Sequence, residues 1–223
     1  MVDPGPALPV HLDAVHAACE EDGLRVAAVV LTHDHYDHAE GAQQFARRGE
    51  GAPARASCSG RFRRVLLTWG QMLLRSKRCF CRVHSKDSIG LVFPKDGSVV
   101  TGDHVFRQSS TLICWPDGTL SDYLVSLERL RRIVRTRRIR VLLTAHGLPI
   151  DDPLGLIDRQ TAHRLSRLDR VRKIVAAGAG FDVDRILETV YDDVDARLNP
   201  AARVNVQAQI AYLQEEAASS TRI

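Results

Sequence analysis

Residues 32–38 read Thr-His-Asp-His-Tyr-Asp-His and follow directly on an apolar run at 26–31. Positions 33–38 hold three imidazoles and two carboxylates. Zinc binds imidazole nitrogen and carboxylate oxygen at about 2.0–2.2 Å, so its ligands have to converge on one point. A loop leaving the end of a strand is a backbone that can aim several side chains that way. In His33-x-His35 alternate residues project to a common side, and Asp37-His38, opening a helix, can face a second point nearby. A lone histidine is more often a solvated or packed residue; His-x-His-x-Asp-His after a buried strand points to metal. The stretch therefore demands a strand running into a helix at this corner.

The rest of the chain supplies such elements. Leu12, Val15 and Cys19 recur at helical spacing before Gly23, residues 26–31 read as a buried strand, and 40–48 as the next helix. Residues 89–93 and 99–101 flank Pro-Lys-Asp-Gly as a hairpin. An amphipathic helix is expected over 120–138, with Tyr123, Leu124, Leu127, Leu130 and Val134 on one face, and then a strand over 139–144. After Asp151-Asp152-Pro153 the pattern is wholly helical. Ile157, Thr161, Leu165, Leu168, Val171 and Val175 form one stripe stopped by Gly178 and Gly180; Ile186, Leu187 and Val190 mark a short helix; Asn199 is expected to cap a third, with Pro200 at its first position. An α/β body over 1–152 and a small helical unit over 153–223 are expected, with no internal repeat.

Composition narrows the function. At 223 residues and 44% hydrophobic, the chain can bury a core for one domain, or one with an appendage. No apolar stretch approaches the ~20 residues of a membrane span, and the start MVDPGPALPV lacks the segments of a secretory signal, so a cytoplasmic address and no membrane partner are expected. The cysteines at 19, 58, 79, 81 and 114 match neither a zinc ribbon nor a disulfide framework and read as reduced thiols. Residues 56–83 carry seven Arg/Lys and no acid; since the net charge is +4, the remainder is net −3, so the basic balance is no chain-wide preference for nucleic acid. Residues 151–223 hold ten Arg/Lys against twelve Asp/Glu, which argues against DNA recognition by the helical unit. The Arg-rich run 129–140 reads as a solvated helix face.

The stretch THDHYDH resembles the signature of the metallo-β-lactamase-fold hydrolases. Further pieces resemble that family in order: CRVHSKDSIGLVF puts His84 where members carry a third histidine, VVTGDHVF puts Asp103 at the place of a bridging aspartate, and VLLTAHGLP supplies His146 followed by Gly147. DPGP at 3–6 is similar to the family's early Asp-Pro-Gly turn. The resemblance covers residues 3 to about 150. It implies an α/β fold of αββα sandwich type, with His33, His35 and His84 at a first metal, Asp37, His38 and His146 at a second, and Asp103 bridging them. Two zinc ions are implied, and iron or manganese suits the same N/O ligands. His104 reads as packing; His11, His16 and His163 have no ligand context.

Such a pair of cations lowers the pKa of a water from 15.7 to about 7 and polarises a carbonyl or phosphoryl oxygen, so no Ser or Cys nucleophile is required. Asp37 is the expected catalytic residue, orienting the nucleophile. The helical tail and WPDGTLSDYLVSLERL are similar to the β-lactamase-like protein 2 branch, related to hydroxyacylglutathione hydrolases, which implies a winged-helix-like C-terminal unit beside the site. Hydrolysis of a thioester or other small ester is the reading this favours; the alternatives are cleavage of single-stranded RNA or a catalytically impaired metal-binding remnant. Two departures from the family stand out. Members place strands before Asp-Pro-Gly, so the first sheet is expected to lack its opening strands, leaving an unpaired edge. Residues 56–83 read as product of a shifted frame, with Cys81-Arg82-Val83 where Thr-Pro-Gly is usual; the competing reading is a basic patch stacking through Phe62, Trp69 and Phe80.

Overall fold

The structure is a computed structural model and describes residues 1–26, 29–48 and 88–220. His84 and the whole of 56–83, with the readings attached to them, lie outside these. Helix α1 spans Pro9–Glu21, with proline in its first turn, where the missing N–H costs nothing. Residues 29–31 show the two-residue period of a strand: Val29 and Leu31 bury with Leu12, Ala42 and Phe45, whereas Val30 buries with Ile89 and Leu91. The strand expected over 26–31 is, in the described residues, a single parallel bridge between Val2 and Val30, with Asp3 N–H donating to Val30 O and Val30 N–H to Met1 O. Pro4 has no N–H to continue the ladder, and Asp3 turns the chain away at φ +46°.

The helix expected over 40–48 is found as α3, Ala42–Arg48, and a one-turn helix α2, Tyr36–Ala39, precedes it. The break lies at Gly41, whose N–H donates to Gly5 O at 2.8 Å. A Cβ there would stand 3.0 Å from that same oxygen, so a side chain would press the Asp-Pro-Gly turn off the corner by a few tenths of an ångström.

Strands β1, Leu91–Phe93, and β2, Ser98–Gly102, form the expected antiparallel hairpin, with Phe93 opposite Ser98 and Gly97 at φ +65° closing the turn. Strand β3, Val141–Thr144, pairs parallel to β2 with Val99 opposite Leu142, giving the order β1-β2-β3. A parallel neighbour needs a crossover, here helix α4, Leu120–Arg137. Thr119 caps α4 by accepting from Asp122 N–H at 3.0 Å, and Arg138 ends it in the left-handed region. The face bearing Leu120, Tyr123, Leu127, Leu130 and Val134 is buried, while Arg132, Arg135 and Arg137 are exposed.

β2 also alternates, Val99 joining the α4 cluster and Val100 packing toward Val30. The apolar residues thus sort into an α-β-β-α order: α1 and α3, the 1–3/29–31 pair, the β1–β3 sheet, then α4. Helix α5, Pro153–Ile174, is capped by Asp152 and widens into a π turn at Val175–Ala179, where Gly178 takes φ +91°. It is followed by α6, Val183–Val190, and α7, Asn199–Ser220. Asn199 is not the cap expected of it: Asp195 caps a 3₁₀ turn at Ala196–Leu198 that runs straight into α7, leaving Asn199 helical. One cluster runs from Val99 and Leu142 through Leu127, Leu130, Leu156 and Leu168 to Val206 and Leu213, and α4 packs on both α5 and α7. Among the described residues no helix is long and apolar enough to cross a membrane.

Candidate metal centre

Residues 32–38 leave the 29–31 segment and turn into α2. Asp3 organises this corner: its carboxylate accepts from Thr32 N–H at 2.7 Å and Thr32 Oγ1 at 2.6 Å, and lies 3.0 Å from His38 Nδ1. Because the Thr32 hydroxyl proton points at Asp3, that oxygen can only accept from His33 Nδ1, 3.0 Å away. Both buried rings therefore carry hydrogen on Nδ1 and turn Nε2 inward, the nitrogen left to bind a metal once it carries no proton. His35, extended ahead of α2, packs its ring edge-on to His33 with centroids 4.6 Å apart.

Asp103 arrives from the end of β2. Gly102 before it adopts φ +54°, and a Cβ there would lie 2.6 Å from Thr32 Oγ1, so the close approach of β2 to the histidine corner requires glycine. His146 follows β3 and lies at the mouth, its side chain 53% exposed. Asp103 Oδ2 is 3.8 Å from His33 Nε2, while Oδ1 is 3.5 Å from His38 Nε2 and 3.6 Å from His146 Nε2. Asp37 Oδ2 is 3.6 Å from His38 Nε2 and 3.4 Å from His146 Nε2.

These separations are longer than a good N–H···O hydrogen bond, about 2.7–3.2 Å. They match two donor atoms of one tetrahedral ion, which at ~2.1 Å each stand roughly 3.4 Å apart. Two groups can hold a cation, His33/His35/Asp103 and Asp37/His38/His146, the ligand atoms within each lying within 4.8 Å of one another. The donor set of imidazoles and carboxylates fits a divalent ion of the zinc, iron or manganese kind. The electrostatics agree. Burial opposes charge on His38, but hydrogen bonding and the negative charges of Asp103 and Asp3 outweigh it and raise its pKa to about 10. Burial alone would raise Asp103, yet His38, His33 and His146 hold it below the usual carboxylate range. A cation would supply the positive charge these carboxylates otherwise draw onto His38, and would displace that proton.

Six of the seven residues expected at the metals thus come together, and the seventh, His84, is outside the described residues. His104 is interior, as expected, beside Ser126 and Tyr123, and burial lowers its pKa to about 3. His11 contacts Pro4 O at 2.8 Å and His16 stacks on Phe45. Sequence reasoning saw Asp3 only as part of a turn, and missed Thr32 altogether. The available signal was an acid preceding Pro-Gly and a hydroxyl adjoining the first histidine.

The family model described as Beta-lactamase superfamily domain matches residues 1–106. A metallo-beta-lactamase family protein from Thermus thermophilus superposes with a TM-score of 0.71 at 18% identity, covering 97% of this chain and 84% of that one. A beta-lactamase domain protein from Burkholderia ambifaria gives 0.73 at 19% identity, covering 97% and 77%. The chain has the metallo-β-lactamase fold. It is 23% identical over 221 residues to the lactamase-like protein ptaB of Pestalotiopsis fici, covering 91% of this chain and 66% of that protein's length. TTHA1623, solved in a di-iron-bound form, superposes on 73% of this metallo-β-lactamase-fold chain with a TM-score of 0.53.

Proposed function

We propose that this chain is a metal-dependent hydrolase. His33, His35 and Asp103, joined by His84, would hold one divalent ion; Asp37, His38 and His146 a second, with Asp103 shared. One observation carries the reading: the two carboxylate oxygens of Asp103 face different groups, Oδ2 toward His33 and Oδ1 toward His38 and His146. Zinc is our assignment for both ions. Bound cations would activate a water and polarise the scissile bond. The chain's own residues do the rest. Asp3 and Thr32 fix the tautomers of His38 and His33. Asp37, about one third exposed and 3.4 Å from the His146 ring, is our choice to orient a water and take up its proton.

Our reading of the substrate is a thioester or other small ester. Tyr36, 74% exposed, and Leu148, 68% exposed, flank the ligand residues in sequence and offer neutral, largely apolar surface, which suits an acyl group better than a polyanion. We place the work in the cytoplasm, in keeping with cysteine spacings that match no disulfide framework. The test is a hydrolysis panel of thioester, lactone, β-lactam and single-stranded RNA. Thioester turnover abolished by Asp103→Ala and His146→Ala, but kept by His163→Ala, is expected. Turnover on RNA alone would overturn the substrate reading, and no turnover on any member would leave a metal-binding remnant.

A further inference from the structure

The loop leaving the metal centre, residues 103–111, is gripped from α5. Gln160 Nε2 donates to Phe106 O at 3.1 Å and to Ser109 O at 2.7 Å. One turn later the Arg164 guanidinium donates to Thr111 O, and to Asn205 Oδ1 of α7 at 3.3 Å, while lying 5.2 Å from the Tyr123 ring centroid. Thr111 passes the grip on: its fully buried hydroxyl contacts Asp103 O at 2.9 Å and His104 O at 2.8 Å. Asn205 also accepts from Ile113 N–H at 3.2 Å, just past the loop.

Arg164 is 3% exposed, and no carboxylate among the described residues forms an ion pair with it. A buried cation so placed is costly, and an apolar residue would fill the same core more cheaply. Gln160, also buried, sends both amide hydrogens to the same loop. These are not groups needed to pack α5, whose apolar side is already supplied by Leu156, Ile157, Leu168 and Val171. Their contacts converge on the backbone that sets the direction of the Asp103 side chain.

We propose that Gln160, through the backbone at Phe106 and Ser109, and Arg164, through Thr111, are positioning residues for Asp103, so that the helical C-terminal region fixes the carboxylate shared between the two ligand groups. The inference rests on the metal-centre reading above. Loosening the 103–111 loop would let Asp103 swing and weaken cation binding before it weakens the fold. Outer-shell partners of metal ligands are usually worth ~10–100-fold in affinity; acting through one peptide link, about tenfold is expected here.

The test is Co²⁺ affinity, by chelator competition, together with the ligand-field absorption of the bound ion, on the full chain. Thr111→Val, Gln160→Met and Arg164→Met should each weaken binding about tenfold and shift the absorption bands, with Arg164→Lys recovering part of the loss. Leu168→Ala, on the same helix but in the apolar core, should lower the melting temperature while leaving affinity and spectrum unchanged. Affinities at the wild-type value for the three variants, or an equal loss in Leu168→Ala, would overturn the positioning role. If Arg164→Met does not fold, Thr111→Val and Gln160→Met decide by the same criterion. A wild-type chain that takes up no Co²⁺ overturns the metal-centre reading itself, an outcome distinct from unchanged variants of a chain that binds it.

Discussion

Asp3 accepts from Thr32 twice and pairs with His38, from a backbone held at φ +46°. Left-handed backbone at a non-glycine residue costs of order 1–3 kcal/mol and persists where its surroundings fix it. Asp3→Ala removes the acceptor for Thr32 and for the His38 ring. Metal affinity should fall ~10–100-fold, and stability by roughly 1–3 kcal/mol, in chelator competition and urea unfolding respectively. His104 carries a pH prediction. Its folded pKa, about 3, lies below the ordinary histidine value of 6.5 because burial penalises the charged ring. Its stabilising contribution is therefore complete above pH 6.5 and is lost as pH falls from there toward 3. The slope from this group approaches about 1.4 kcal/mol per pH unit. Urea unfolding at pH 7 and pH 5 should show wild type losing more stability than His104→Asn. The six residues that come together at the candidate centre were legible because they stand in short spaced runs at strand ends. Asp3 and Thr32 were not, because their bond joins residues 29 positions apart with no periodicity to mark it.

Helices were read more accurately than strands. In α4 the apolar face repeats at the helical period, and Thr119 with Asp122 three residues on marks its start. Thr119→Ala should cost about 0.5–2 kcal/mol, measured by denaturant unfolding with no change in metal content. The strand at 29–31 has the right alternation but a three-residue partner ended by Pro4, and a pairing register cannot be seen in one segment alone. The helix at 40–48 was placed without the break that sets it off from α2, since Gly41 is special only because Gly5 O comes within 3.0 Å of where its Cβ would be. Asn199-Pro200 carries a sound cap signal, but the preceding turn, capped by Asp195, continues into α7 and removes the need for it.

Across the whole molecule, the sandwich order was legible through the resemblance alone, because Val29, Val30 and Leu31 are all apolar and only their packing shows which layer each one faces. The sharing of one core between α4 and the C-terminal helices was not, because it depends on how α5 and α7 lie against α4. This arrangement gives the metal centre three supports: the Asp3 turn from one layer, the β2 and β3 ends from the next, and α5 through Thr111 from the helices. The centre should act as a unit, with Asp103 common to both ligand groups. Metal content per chain of the purified protein, by elemental analysis, tests this most directly. About two divalent ions per chain are predicted for wild type, with Asp103→Ala losing both and His146→Ala retaining one. A wild-type chain without tightly held divalent metal, or a content unchanged by Asp103→Ala, would contradict the account.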